Sequence, residues 1–219
     1  MSAYVPIPCE QTREIRERLA QVPAPPPIAD PRLRKLARDF DQYRIDCQGV
    51  SSVFFNGLGV LRRDPASLGA EPSLQEWVKD KGVEPRANRI VAHLVALGLC
   101  ARLDDLLLKI VGQGRRQSPA ILARCQLVGD KRFDAATKPS GKRELDWPRD
   151  LLGVFSIKWD DLIAQALKDL VATRDCAAHE LPQAEPDYWS ERMQLWGDSA
   201  TWLVQSLALS LDSLLVRGR

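Results

Sequence analysis

The sequence predicts an all-α protein, a helical bundle. Three observations carry that prediction. Apolar residues recur at helical spacing through several long segments. No segment alternates convincingly with period two, as a half-buried strand would. Helix start and stop signals, prolines above all, fall between the periodic segments.

Residues 10–22, EQTREIRERLAQV, read as a short charged helix. The prolines of PAPPP (23–27) stop it and form a stiff connector, because proline fixes φ and has no amide proton. Asp30 followed by Pro31 marks a new start, an N-cap carboxylate with proline at the first helical position. One long helix is expected from there to about Asp64, with Leu33, Leu36, Phe40, Tyr43 and Cys47 at helical spacing. Gly49, Gly57 and Gly59 weaken its later part.

The stretch PSLQEWVKDKG (72–82) offers Ser73 as a cap, Glu76 three residues later and Gly82 as a stop. Residues 85–114 predict a second long helix, apolar on most sides and therefore central to the core. Residues 115–150 are mixed. SPAILARCQLVG is compatible with a short helix, and DKRFDAATKPSGKRELDWP carries turn residues and reads as a loop or excursion.

Strong helical order returns over 151–175. Trp159, Leu162, Ile163, Ala166, Leu167, Leu170 and Val171 make an apolar stripe, with Lys158, Asp160, Asp161, Gln165, Lys168 and Asp169 on the wet side. After a turn with Pro182 and Pro186, residues 187–217 form the last long helix. No internal repeat is visible. Residues 1–29 read as an N-terminal extension and connector, and 30–219 as a single helical domain.

Bulk composition narrows the function. The chain is 45% hydrophobic and 27% charged, as in ordinary soluble globular proteins. A net charge of +2 is not that of a polycation, so attraction to nucleic acid must come from local clustering. Residues 109–149 supply such a cluster, ten Lys or Arg against four Asp or Glu. Arg115, Arg116, Lys142 and Arg143 are the candidates in it to track an RNA backbone, and a solvated loop would look the same.

The five cysteines at 9, 47, 100, 125 and 176 form no Cys-x-x-Cys pair, which suits reduced thiols better than a disulfide frame or a zinc site. The first residues lack a basic region followed by an apolar run, so no signal peptide is expected. The near-apolar run 90–101 is too short to span a bilayer. A cytoplasmic location without membrane attachment is expected. GQGRR (112–116) has too few glycines, and no Lys-Ser/Thr, for a phosphate loop.

One stretch stands out, TRDCAAHE at 173–180. The stripe Ile163, Leu167, Leu170 leads on to Arg174, so an arginine continues a core-facing row. A guanidinium there needs a partner or a groove open to water. If the helix continued, Asp175 and His179 would share a face, and the carboxylate would favour the charged imidazole. Pro182 biases Leu181 out of the α region, which would leave His179 in the last helical turn near free carbonyls. A histidine in such a place can titrate near neutral pH. On one regular helix, however, Arg174 and His179 would point about 140° apart, so a single copy is a poor site. His93, the other histidine, reads as a satisfied core residue. Arg86 and His93 fit the same spacing, a coincidence in so arginine-rich a chain.

The combination resembles the HEPN superfamily of all-α ribonucleases. Its signature is arginine, four to six residues, then histidine, often with Asn, Asp or His after the arginine. Arg174, Asp175 and His179 in RDCAAH match it, and the resemblance covers roughly 151–217. Two departures stand beside it. Toxins of this family often place tyrosine two residues after the histidine, where this chain has Leu181, and many members follow the histidine with glycine, where this chain has Glu180.

The resemblance implies a metal-independent endoribonuclease without a cofactor, acting as a toxin or defence effector. It also implies a homodimer whose two motifs line one cleft, and a possible antitoxin or defence-system partner protein. The residue types suit the chemistry. RNA carries its own nucleophile, the 2′-hydroxyl. A histidine can take or give the proton, and an arginine stabilises charge building on phosphorus. The alternatives are a catalytically silent bundle of the same type that binds RNA or a protein, and an unrelated helical interaction module.

Overall fold

The computed structural model describes residues 7–64, 72–79, 83–117, 160–182, 184 and 186–217, with 119, 123 and 157 as isolated positions. Regular structure among them is helical, with no strand. The elements are α1 (Cys9–Gln21), α2 (Pro31–Arg63), α3 (Pro72–Lys79), α4 (Val83–Gln117), α5 (Asp161–Asp175), a 3-10 turn (Ala178–Glu180) and α6 (Pro186–Arg217). The expected short helix and loop between 118 and 150 lie outside the described residues, as do Trp159 and Lys158.

Local chemistry accounts for the helix starts. The Asp30 side chain accepts from the amides of Arg32 and Leu33, at 2.9 and 3.0 Å, and Pro31 follows it, as expected. Asp212 of α6 accepts from the amides of Ala29 and Asp30, both at 2.7 Å, which fixes the chain just before α2. Asp160 caps α5 through the amides of Leu162 and Ile163. Ser73, expected ahead of the helix, lies inside α3. That helix already begins at Pro72, and proline is favoured at the first helical position.

Helix α6 is the hub and packs against α1, α2, α4 and α5. Its Trp189, Trp196, Leu203, Leu207 and Leu211 are fully buried, in one cluster with Leu33 and Phe40 of α2, Leu106 and Ile110 of α4, and Leu170 of α5. Each such side chain contributes about 1.5–3 kcal/mol on leaving water. Helices α2 and α4 meet closely where Gly98 faces Tyr43. A Cβ at 98 would stand 2.5 Å from the tyrosine oxygen. By length and composition α6 could also cross a membrane, from Tyr188 to Val216, but half of its most apolar window is buried in the bundle.

Helix α1 packs on α5 and α6, burying Ile15 completely in a cluster with Ile7, Ala166 and Leu195. This contact corrects the expected wet side of α5. Asp169 is buried, and its Oδ2 accepts from Arg192 Nη1 at 2.5 Å and Trp196 Nε1 at 2.7 Å. Arg192, also buried, donates to the Ile7 carbonyl and lies 4.5 Å from the centre of the Tyr188 ring. A buried carboxylate is tolerable only with such a partner set. One polar cluster therefore joins the N-terminal segment, α5 and α6.

Candidate functional site

Helix α5 presents Ile163, Leu167 and Leu170 to the core, and Arg174 follows in line. The Arg174 side chain is 17% exposed, so it sits at the edge of the core as its spacing requires. Its guanidinium donates to Asp175 Oδ1 at 2.7 Å, and Asp175 is 58% exposed. The cation also stands in the last turn of α5, where free carbonyls favour positive charge.

The helix does not run on to His179. It ends at Asp175, and Cys176 and Ala177 are extended, with φ and ψ of −80° and 147°, then −70° and 144°. His179 lies in the separate turn Ala178–Glu180. Asp175 and His179 therefore share no helix face, and Asp175 pairs with Arg174. The 140° angle between Arg174 and His179, which assumed one regular helix, no longer applies. Leu181 is extended ahead of Pro182, as expected, and its side chain is buried. Within the turn, the Glu180 amide donates to the Ala177 carbonyl at 2.9 Å, and the Ala177 amide donates to Glu180 Oε2 at 3.3 Å.

Helix α4 meets the segment 173–181 at both ends. His93 Nδ1 lies 3.1 Å from the carbonyl of Thr173, the residue before Arg174. A carbonyl only accepts, so Nδ1 carries the hydrogen. One turn earlier on α4, Arg89 Nη1 donates to the Leu181 carbonyl at 3.1 Å. The two contacts reach across 80 and 92 residues of sequence. Spacing alone did not single out Arg89, and it set His93 apart as a core residue. The sequence held little signal for Arg89, which stands among other polar residues, Arg86 and Asn88, in the first turns of α4.

Cys176 lies inside the stretch. Burial, then the negative charges of Glu180 and Asp175, pushes its thiol above the ordinary cysteine range. It is protonated at neutral pH and is not a nucleophile in this state. Among the described residues no three His, Cys, Asp or Glu side chains are grouped as metal ligands. Of the basic candidates, Arg116 is exposed near the end of α4 and Arg115 belongs to the same helix, while Lys142 and Arg143 lie outside the described residues.

A broad apolar face lies along the same helix. Ile90, Leu94 and Leu97 flank His93 on α4 and are 51%, 60% and 40% exposed. With Val50 and Phe54 of α2 and Trp77 of α3, Ile90 and Leu94 line an open groove of about 710 Å³, with Asp46 and Arg86 among its polar residues. Isolated exposed apolar residues are ordinary, and a contiguous face of this kind is a candidate interaction surface.

No family model, curated protein or solved structure matches the chain.

Proposed function

We propose that this protein is a metal-independent endoribonuclease of the HEPN type, with Arg174 and His179 as catalytic residues contributed by two protomers. The observation that carries the reading is the placement of Arg174. A cation ends a core-facing row at a helix terminus, beside a turn that bears one of the chain's two histidines. In this reading Arg174 neutralises charge on the phosphorus, His179 moves a proton at the 2′-hydroxyl or the leaving oxygen, and Asp175 orients Arg174.

The apolar strip of Ile90, Leu94 and Leu97 supports a homodimer, since it runs along α4 within one turn of His93. A second copy seated there would bring two motif turns toward one another. The proposed setting is that of a cytoplasmic toxin or defence effector, with a protein antitoxin or defence-system partner as its control.

One observation favours the silent bundle as a second reading. Asp175 already occupies the Arg174 guanidinium. The pair is half in water, where such bridges are worth about 1 kcal/mol or less, so a phosphate can displace the carboxylate. Incubation of the purified protein with mixed cellular RNA in EDTA tests the proposal. Fragments ending in a 2′,3′-cyclic phosphate, or the 3′-phosphate formed from it, are expected. Intact RNA under every condition, from a normally dimeric protein, favours the silent bundle.

A further inference from the structure

We infer that Arg89 and His93 are positioning residues for this site, a clamp on α4 that holds the segment bearing Arg174 and His179. The inference rests on the ribonuclease reading for its function, though not for its geometry. The segment between Thr173 and Leu181 has little regular structure of its own. Helix α5 ends at Asp175, two residues are extended, and a three-residue 3-10 turn follows.

Thr173 lies in the final turn of α5. His93 donates to its carbonyl, and Arg89 donates to the carbonyl of Leu181 at the other end. The two donors stand four residues apart on one helix, so they face the same way. Helix α4 is anchored in the core by Leu99, Leu106 and Ile110, which makes it a rigid base for the clamp. A phosphoryl-transfer site needs its charged groups held in place before substrate arrives, and small displacements are costly. Glycines and prolines, the usual means of fixing a turn, do not occur between Thr173 and Leu181. The side-chain donors supply that function.

The test uses the full chain with four variants: Arg89→Ala, Arg89→Lys, His93→Ala and His93→Asn. The asparagine amide stands near the Nδ1 position and can still donate to Thr173, but it has no titratable nitrogen. Amide hydrogen exchange over 176–181 reports the clamp directly. Each alanine variant should speed that exchange about fivefold, the equivalent of one ordinary hydrogen bond. RNA cleavage should show kcat lowered on the order of tenfold to a hundredfold with KM unchanged, because neither residue touches substrate. His93→Asn and Arg89→Lys should return both readouts toward wild type.

Unchanged exchange in both alanine variants overturns the inference. So does a His93→Asn variant that exchanges like wild type yet cuts no faster than His93→Ala, since the ring itself would then take part in the chemistry. If wild type cuts no RNA, the ribonuclease reading fails on that result, and the exchange data still decide whether the clamp exists.

Discussion

Arg174 and its chain neighbour Asp175 face one another across 2.7 Å at the end of α5, the arginine mostly buried and the aspartate mostly in water. The carboxylate therefore holds the Arg174 guanidinium. Asp175→Ala should lower cleavage several-fold, well short of the loss from Arg174→Ala. Its effect on stability should stay within about 1 kcal/mol, because one partner is solvated. Side-by-side kinetics and urea unfolding check this. Complete loss of cleavage in Asp175→Ala would show that the carboxylate itself reacts.

The buried pair of Asp169 and Arg192 should behave differently. Asp169→Ala removes the counter-charge of a buried guanidinium and an acceptor of the Trp196 indole, and should cost about 3–5 kcal/mol. Replacing both residues together, Asp169→Leu with Arg192→Met, should cost less than either single change. Denaturant unfolding of the three variants measures it. A double variant as unstable as the sum of the singles would contradict the account.

Much of the frame was legible in the sequence. Asp30-Pro31 announced α2, the spacing of Leu33, Phe40 and their neighbours gave its buried face, and the row ending in Arg174 was visible as an anomaly. The break after Asp175 was not. Ala177 and Ala178 are strong helix formers, and no proline or glycine marks the stop. Tertiary terms outweigh local preference there: Leu181 is buried, and its carbonyl and that of Thr173 meet donors from α4. Asp169 was misplaced for the same reason. Its partner lies 23 residues on, and α1 covers a face that looked wet.

The N-terminal helix should show a distinct acid response. Burial alone would raise the Asp160 carboxyl, but the Arg18 guanidinium at 2.8 Å and the amides of Ile163 and Leu162 outweigh it and hold the carboxyl below its usual range. A depressed carboxyl contributes stability above its unfolded value, near 4, and that contribution is lost as pH falls through the folded value. Asp160→Asn keeps the cap and loses the charge pair. The variant should be less stable than wild type at pH 7, by about 1 kcal/mol or less, with the difference shrinking below pH of about 4. Thermal melts from pH 7 to 2.5 test it, and a difference independent of pH would contradict it.

Dimerisation has its own handle. Leu94→Arg places a charge in the exposed apolar strip without touching the core, so the fold should lose no more than about 0.5 kcal/mol. Wild type should be a dimer at micromolar concentration by light scattering, and the variant a monomer with cleavage lost. A monomeric wild type would remove this face from the account.

The central claim is that Arg174 and His179 cut RNA through its own 2′-hydroxyl. It is tested most directly by the rate and end groups of RNA cleavage in EDTA, wild type against His179→Ala. The account predicts metal-free cleavage by wild type that leaves a cyclic phosphate, and a variant that folds normally and is slower by about 10²–10⁴. Wild type that cuts only with Mg²⁺, or His179→Ala that cuts as fast as wild type, would contradict it.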